Sequence, residues 1–317
     1  MPRSMSDLFE IFTLFPTFFY VMVFIMSLMI GSFLNVVIHR LPIMMERSWK
    51  LEFESYFSAS EDAISTSSQP EGDQTKNHLQ QSASTEAEAP YNLVVPGSTC
   101  PKCGHKIKPW ENIPVLSWLF QKGKCTHCNT GISIRYPLVE LSTGLLSLIV
   151  ALHFGPSYAC LAALVFTWSL IALTFIDADT MLLPDQITLP LLWLGLLFSL
   201  GNVFVDPATA IIGAAAGYLS LWSLFWAFKL LTGKEGMGYG DFKLLAALGA
   251  WVGWQHLPIV VILSSFVGAI LGIIILSVRG KDKNIPIPFG PYLAIAGWLT
   301  LLYGDWIADQ YWRYVLG

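Results

Sequence analysis

Charge is scarce in this sequence. Only 13% of its 317 residues are Asp, Glu, Lys or Arg, where an ordinary soluble domain carries about 25%. With 54% hydrophobic residues and a mean hydropathy of +0.56, that scarcity excludes one large water-soluble core, which would need polar faces that most of the chain lacks. A basic excess is also missing. The net charge is −4, so no nucleic-acid partner is expected. The five cysteines are too few and too unevenly spaced for a secreted disulfide scaffold. No strand precedes the glycine-rich run 236–240 and no Lys-Ser/Thr follows it, which argues against a phosphate-binding loop.

Long apolar runs are what the chain does have. They cover 15–38, 138–154, 158–176, 187–204, 208–231, 242–254, 257–278 and 288–303. The first is free of charge and long enough for a hydrocarbon core of about 30 Å. It reads as a span rather than a cleavable signal, because Asp7 and Glu10 offset Arg3 and no small-residue cleavage site follows a short apolar core. The pattern predicts an all-α polytopic membrane protein with about eight transmembrane helices. The sixth run is short, and Pro286, Pro288 and Pro291 crowd the start of the eighth. Both are candidates for tilted, broken or re-entrant segments.

The basic residues orient these spans. With the N-terminus outside, the segments 39–137, 177–186, 229–243 and 279–287 lie inside and hold 16 of the 18 Lys and Arg residues. Cytoplasmic loops carry such an excess, so an inner-membrane protein in this orientation is expected. The chain then divides into an N-terminal transmembrane helix (1–41), a cytoplasmic domain (42–136) and a seven-helix membrane domain (137–317).

The cytoplasmic domain holds two unlike stretches. Residues 57–90 carry six acids against Lys76 and no aromatic after Phe57; such a composition cannot bury enough apolar surface to order itself and reads as a disordered insertion. Residues 97–131 form a compact module in which Cys100-Pro-Lys-Cys103 precedes Cys125-Thr-His-Cys128. Two C-x₂-C knuckles at this separation can place four thiolates, Cys100, Cys103, Cys125 and Cys128, around a structural Zn²⁺. A disulfide pair and a redox dithiol are the other readings; the inferred cytoplasmic location disfavours the first and the spacing favours zinc over the second. His105 and His127 are substitute ligands that four cysteines make unnecessary. Five lysines between 100 and 128 face Glu111 alone and read as a solvated basic face. Cys160, alone within a span, reads as a small buried apolar residue.

The catalytic candidates are acids at membrane depth, which are costly there and functional by default. The run 175–185 carries Asp177, Asp179 and Asp185, and Asp241 follows Gly236, Gly238 and Gly240. Two distant carboxyl groups brought together can share one proton, since like charges at close range cannot both ionise. The ionised member then takes a proton from water while the protonated member donates to a scissile carbonyl. The glycines leave room for a peptide backbone to approach. Asp185, following Pro184, reads as a helix cap, Asp179 as a partner of the site or a solvated loop acid. Asp241 could also serve only as a helix-start acid.

Taken together these residues resemble the type 4 prepilin peptidases. The resemblance is carried by the stretches 31–42, 91–94, 112–118, 135–140, 177–185, 236–244 and 286–292 and by both cysteine knuckles. It covers nearly the whole chain except 57–90. It implies an enzyme that cleaves the basic leader of type IV prepilins, and possible type II secretion pseudopilins, and then methylates the new N-terminus with S-adenosylmethionine. It places the catalytic pair on Asp177 and Asp241 and links Gly123 to methyl transfer. No glycine-rich dinucleotide-type pattern supports the methyl transfer independently. Two other classes stay open on the residues alone. One is a membrane thiol oxidoreductase using the two C-x₂-C pairs. The other is a transporter whose intramembrane acids carry protons.

Overall fold

The computed structural model describes residues 5–65, 91–234, 236–279 and 288–316. The short helix α1 (Met5–Leu14) leads into α2 (Pro16–Ser65), the longest element. After the cysteine module, which contains the single-turn α3 (Leu116–Phe120), come α4 (Arg135–Phe154), α5 (Tyr158–Thr180), α6 (Asp185–Ser199), α7 (Pro207–Thr232), α8 (Tyr239–Val252), α9 (Leu257–Arg279) and α10 (Gly290–Leu316). Each of the eight apolar runs forms the body of a helix. Among the described residues, α2, α4, α5, α7 and α9 are the five long and apolar enough to cross a membrane. The shorter apolar α6 has 15 residues and α8 has 14, so α8 rises only about 21 Å, less than the hydrocarbon thickness.

Chain length explains the role of α8. Too short to face lipid along a full span, it is hydrophobic all round and central. All residues from Asp241 to Val252 except Lys243 are buried, with α6, α7 and α10 packed about it. Trp251 fixes α6 to α8, its Nε1 donating to the Leu191 carbonyl at 2.8 Å. The α7–α8 contact depends on paired glycines. A Cβ on Gly213 would overlap the Gly249 carbonyl oxygen, and one on Gly249 would overlap that of Gly213. Small residues allow this backbone approach, and close packing is what joins helices where no hydrophobic drive separates them from lipid. Outward, α7 and α9 expose Ile211, Leu219, Ile262 and Phe266, an apolar belt of the kind that hydrocarbon covers.

The helix α2 continues well past the end of its apolar run at 38. Polar residues of good helix propensity carry it onward, with Glu46 and Lys50 paired at 3.1 Å across one turn. It enters the stretch 57–90 and ends at Ser65; the rest of that stretch, 66–90, lies outside the described residues.

One end of the bundle collects the chemistry. There the start of α4 meets the end of α5 through Arg135 and Asp179. The starts of α6 and α8 meet through Asp185 and Lys243, and the start of α10 meets α5 at Asp177.

Candidate functional site

Asp177 and Asp241 converge at this end. Asp177 lies in the last turn of α5, which closes at Met181 in a left-handed conformation (φ 56°), the Met181 N–H donating to the Asp177 carbonyl at 2.9 Å. Asp241 is the third residue of α8. The two aspartates are only 5% and 7% exposed, and the Leu183 side chain lies against both Gly240, next to Asp241, and Gly290, which meets Asp177. Gly290 contributes a backbone donor to the pair, its N–H reaching Asp177 Oδ2 at 2.9 Å. Only glycine fits there, because a Cβ on Gly290 would lie 2.7 Å from that same oxygen. Leu183 closes the other side, its Cβ lying 2.7 Å from where a Cβ on Gly240 would stand. Sequence reasoning did not single out Gly290 or Leu183; the one available signal was a glycine set between Phe289 and Pro291.

The neighbouring acids differ in kind. Asp179 pairs with Arg135, whose guanidinium also lies 5.5 Å from the Phe175 ring centroid. Asp185 takes both of its oxygens to Lys243 Nζ, at 2.8 and 2.7 Å. The expected helix cap at Asp185 is not formed. Asp185 is the first residue of α6, whose N-cap position falls on Pro184 with no side-chain cap, and the lysine 58 positions onward takes the carboxylate instead. Among the described residues, no basic side chain pairs with Asp177 or Asp241. Two buried acids without a cation thus stand beside two that have one, an arrangement unlike a salt-bridge network.

The four cysteines converge as well. Their sulfur atoms all lie within 4.8 Å of one another, and Cys100 Sγ is 3.8 Å from Cys128 Sγ. A tetrahedron of thiolates at about 2.3 Å from zinc has edges of about 3.8 Å, so this donor set fits such an ion. The two knuckles are near copies. In the first, the Cys100 N–H donates to His105 O and the Gly104 N–H to Cys100 O, both at 2.9 Å; in the second, the Cys125 N–H donates to Thr130 O at 2.8 Å and the Asn129 N–H to Cys125 O at 3.0 Å. Gly104 and Asn129 both have positive φ (68° and 56°), the turn that Gly and Asn permit most readily. The histidines stand outside the sulfur cluster. His105 Nε2 is 3.2 Å from Glu111 Oε2, and its ring stacks on His127 at 5.6 Å.

Glu111 ties the module together. Its carboxylate accepts from the Lys108 N–H at 2.9 Å and the Thr126 hydroxyl at 2.8 Å, beside the His105 ring. The Lys108 N–H first, then Thr126 and His105, hold this carboxyl well below its usual range, at about 2. Gly123 has a mechanical task. It adopts φ 66°, and a Cβ there would lie 2.9 Å from Trp118 Cζ2. Trp118 Nε1 in turn donates to Ile132 O at 3.1 Å. Gly123 thus supports the rear of α3.

The module is fastened to the membrane helices at the same end as the aspartates. Arg40 of α2 donates to the carbonyls of Asn92 and Pro96 at 2.9 and 2.6 Å. Glu140, a buried carboxylate on α4, accepts the Val115 N–H at 2.7 Å. Val115 has φ 61°, a strained conformation for a β-branched residue, and the Leu116 N–H closes the tight turn onto Pro114 O at 2.6 Å. Glu140 is a third residue that sequence reasoning left without a role; a lone acid inside the run 138–154 was its signal.

Two stretches of the chain match known family models. Residues 25–154 match the model of the bacterial peptidase A24 N-terminal domain, and residues 164–273 match that of the type IV leader peptidase family. A prepilin leader peptidase/N-methyltransferase of Aeromonas salmonicida is 60% identical over 95% of this chain and 96% of its own length. The protein of the same name from Pseudomonas aeruginosa is 53% identical, covering 94% and 95%. That of Dichelobacter nodosus is also 53% identical, over 90% and 92%. Among solved structures there is no significant match.

Proposed function

This chain belongs to the type IV leader peptidase family, and from that premise we propose that Asp177 and Asp241 carry the peptide cleavage. The chain is a membrane protease and N-methyltransferase that removes the leader peptide of prepilins and methylates the N-terminus so exposed. The observation that carries the aspartate assignment is the buried, cation-free setting that the two side chains share at one end of the bundle.

The two carboxyl groups hold one proton between them, since two neighbouring anions in a low-dielectric site repel. The ionised group takes a proton from water as its oxygen adds to the scissile carbonyl, and the protonated group gives its proton to the carbonyl oxygen. Collapse of the tetrahedral intermediate breaks the C–N bond. The amine leaves with the proton just removed from water, the other carboxylate recovers its proton from a hydroxyl of the collapsing intermediate, and the pair returns to its starting state. The Gly290 N–H fixes Asp177 Oδ2 and so orients that carboxyl group toward its partner.

For the second activity, the neutral new N-terminal amine takes a methyl group from S-adenosylmethionine, the donor that an N-methyltransferase name implies; a thioether leaves and the methylated nitrogen loses a proton. Gly123 acts here indirectly, by leaving room for the Trp118 ring of α3. Zinc in the Cys100, Cys103, Cys125 and Cys128 cluster is structural, because four protein ligands leave it no open position. The convergence of all four sulfurs on one centre supports this over the thiol oxidoreductase reading, which needs separate dithiols.

The basic-residue count supports an inner-membrane protein with its N-terminus outside and both the module and the aspartates on the cytoplasmic side. There a basic leader stays in the cytoplasm while the pilin's apolar segment enters the bilayer, leaving the cleaved bond at the surface between them. We extend the reading to eight spans, with α6, α8 and α10 crossing in the company of protein, and to pseudopilins as substrates. Incubation of the Asp241→Asn enzyme with a prepilin should give no detectable product under conditions where the wild type cleaves to completion; undiminished cleavage would remove the assignment. Cysteine-accessibility labelling beside Asp177 and Asp241 tests the orientation, and labelling from the periplasmic side would reverse it.

A further inference from the structure

The cysteine module carries its large apolar side chains on the outside. Within 109–120, Trp110, Ile113, Leu116, Leu119 and Phe120 are all exposed, Trp110 at 65% and Phe120 at 83%. A small domain surrounded by water places such side chains the other way round. We infer that this ledge, the turn 109–112 with α3, is seated in the lipid leaflet at the aspartate end, with the neighbouring lysines on anionic phospholipid headgroups. The inference rests on α2 and α4 as membrane spans and not on the chemistry proposed above.

Depth decides the partner. The helices α2 and α4 run antiparallel. Asn35 Nδ2 donates to the Tyr136 carbonyl at 3.1 Å, a Cβ on Gly31 would lie 2.7 Å from Glu140 Cα, and one on Gly144 would meet Leu28. The ledge is bonded at the level of Gly31 and Glu140. Asn112 Nδ2 donates to Ser32 Oγ at 3.4 Å, and the Val115 N–H to Glu140 at 2.7 Å. Ser32 precedes the end of the apolar run at 38 by about 9 Å of helix, and Glu140 lies about 7.5 Å along α4 from Arg135. Interfacial segments bury their apolar faces about 5–10 Å into the boundary between headgroups and acyl chains. The ledge stands at that level.

The surface beside it is already lipid-facing. At and below this level α2 exposes Phe33 and Met29, and α4 exposes Leu138, Leu141 and Leu145. The ledge thus extends at the interface the apolar belt that hydrocarbon covers.

Charge complements a phosphate headgroup. Lys106, Lys108, Lys122 and Lys124 are exposed, and the one acid between 100 and 128 is Glu111, its carboxylate engaged by the Lys108 N–H and Thr126. Four thiolates with one Zn²⁺ add about −2, which still leaves this stretch cationic. Lys108 Nζ stands 5.4 Å over the Trp110 ring. An indole and an ammonium together suit the interface, the ring at the acyl boundary and the cation reaching outward to the headgroups.

The test is photo-cross-linking of the full-length, metal-loaded enzyme in nanodiscs of phosphatidylcholine and phosphatidylglycerol in equal parts. Benzoylphenylalanine replaces Phe120 in one variant, Leu119 in a second and Leu141, on the exposed side of α4, in a third. All three side chains are exposed, and retained metal content confirms that each variant is folded. Lipid adducts should form at Phe120 and Leu119 in yields comparable with Leu141. At the two ledge positions phosphatidylglycerol adducts should outnumber phosphatidylcholine adducts by about fivefold at low salt, and Lys108→Gln with Lys122→Gln should bring them toward parity. Lipid adducts at Leu141 but none at Phe120 or Leu119 overturn the inference and leave the spans intact. Adducts at the ledge to an added prepilin in place of lipid overturn it as well, giving the face to a protein. Parity between the two lipids with all lysines in place overturns the headgroup assignment. Absence of lipid adducts at all three positions overturns the reading of α4 as a span.

Discussion

The membrane body and the cysteine module are held together by different physics. Around α8 the body buries Phe166, Leu173, Phe242, Leu248, Trp251 and Leu293 almost completely, so packing and glycine-mediated approach fix its geometry. Between residues 91 and 134 the only buried apolar side chains are Cys100 and Cys125. The module has no hydrophobic core of its own. Its shape comes from two knuckle turns, the Glu111 network and whatever joins four sulfurs, and a segment this small lacks the apolar burial to fold otherwise. The proposed peptide chemistry therefore sits on the part that apolar packing holds, and not on the part gathered round four sulfurs.

Metal removal should break this contrast most visibly. Structural zinc contributes about 10–16 kcal/mol of binding free energy in small domains, so a strong chelator, or Cys100→Ser, should expose 91–134 to proteolysis and leave the membrane helices protected. Equal loss of protection in both regions would mean that the module and body fold as one unit. Within the body, the two classes of acid should part next. Asp177→Asn or Asp241→Asn should slow prepilin cleavage by about 10²–10⁴-fold, the usual worth of a general acid or base, whereas Asp179→Asn and Asp185→Asn should stay within a few-fold of the wild type.

Smaller effects sharpen the same line. Gly249→Leu drives a side chain into the Gly213 carbonyl and should cost about 1–3 kcal/mol, as overpacking does, lowering the melting temperature in detergent without altering the module's metal content. Lys243→Met removes a pair whose side chains are 32% and 49% exposed and should cost less than about 1 kcal/mol in the same assay. In the module, Glu111 has its folded pKa lowered from 4.5 to about 2. Its contribution is then fully present above about pH 4.5 and is lost as pH falls toward 2. The difference in protease resistance between wild type and Glu111→Gln should therefore be constant from about pH 5 to 8. A difference that changed between pH 6 and 8 would contradict control by the Glu111 carboxyl.

Much of this was readable in the sequence, and the misses share a cause. Apolar runs located the five helices long and apolar enough to cross a membrane, because one residue type over many positions leaves a strong local signal. The two cysteine knuckles were equally local. The helical extension of α2 from 39 to 65 was not legible, since charge ended the apolar run at Arg40 while helix propensity did not end with it. Asp185 was misread as a cap because its lysine is 58 residues away, and no local pattern announces a partner at that distance. Gly290 is 113 positions from Asp177. Its glycine is required by an oxygen that only the folded chain brings there. The resemblance named Gly123, yet its contact with Trp118 became visible only once the turn was closed.

The central claim is that Asp177 and Asp241 act as one catalytic unit. Cleavage rates of a prepilin by the wild type, Asp177→Asn, Asp241→Asn and the double variant, each checked for retained helix content, test it directly. The account predicts that both single variants lose most activity and that the double is no slower than the slower single, since either loss disables the whole pair. Losses that multiply, or one single variant that cleaves at the wild-type rate, would contradict it.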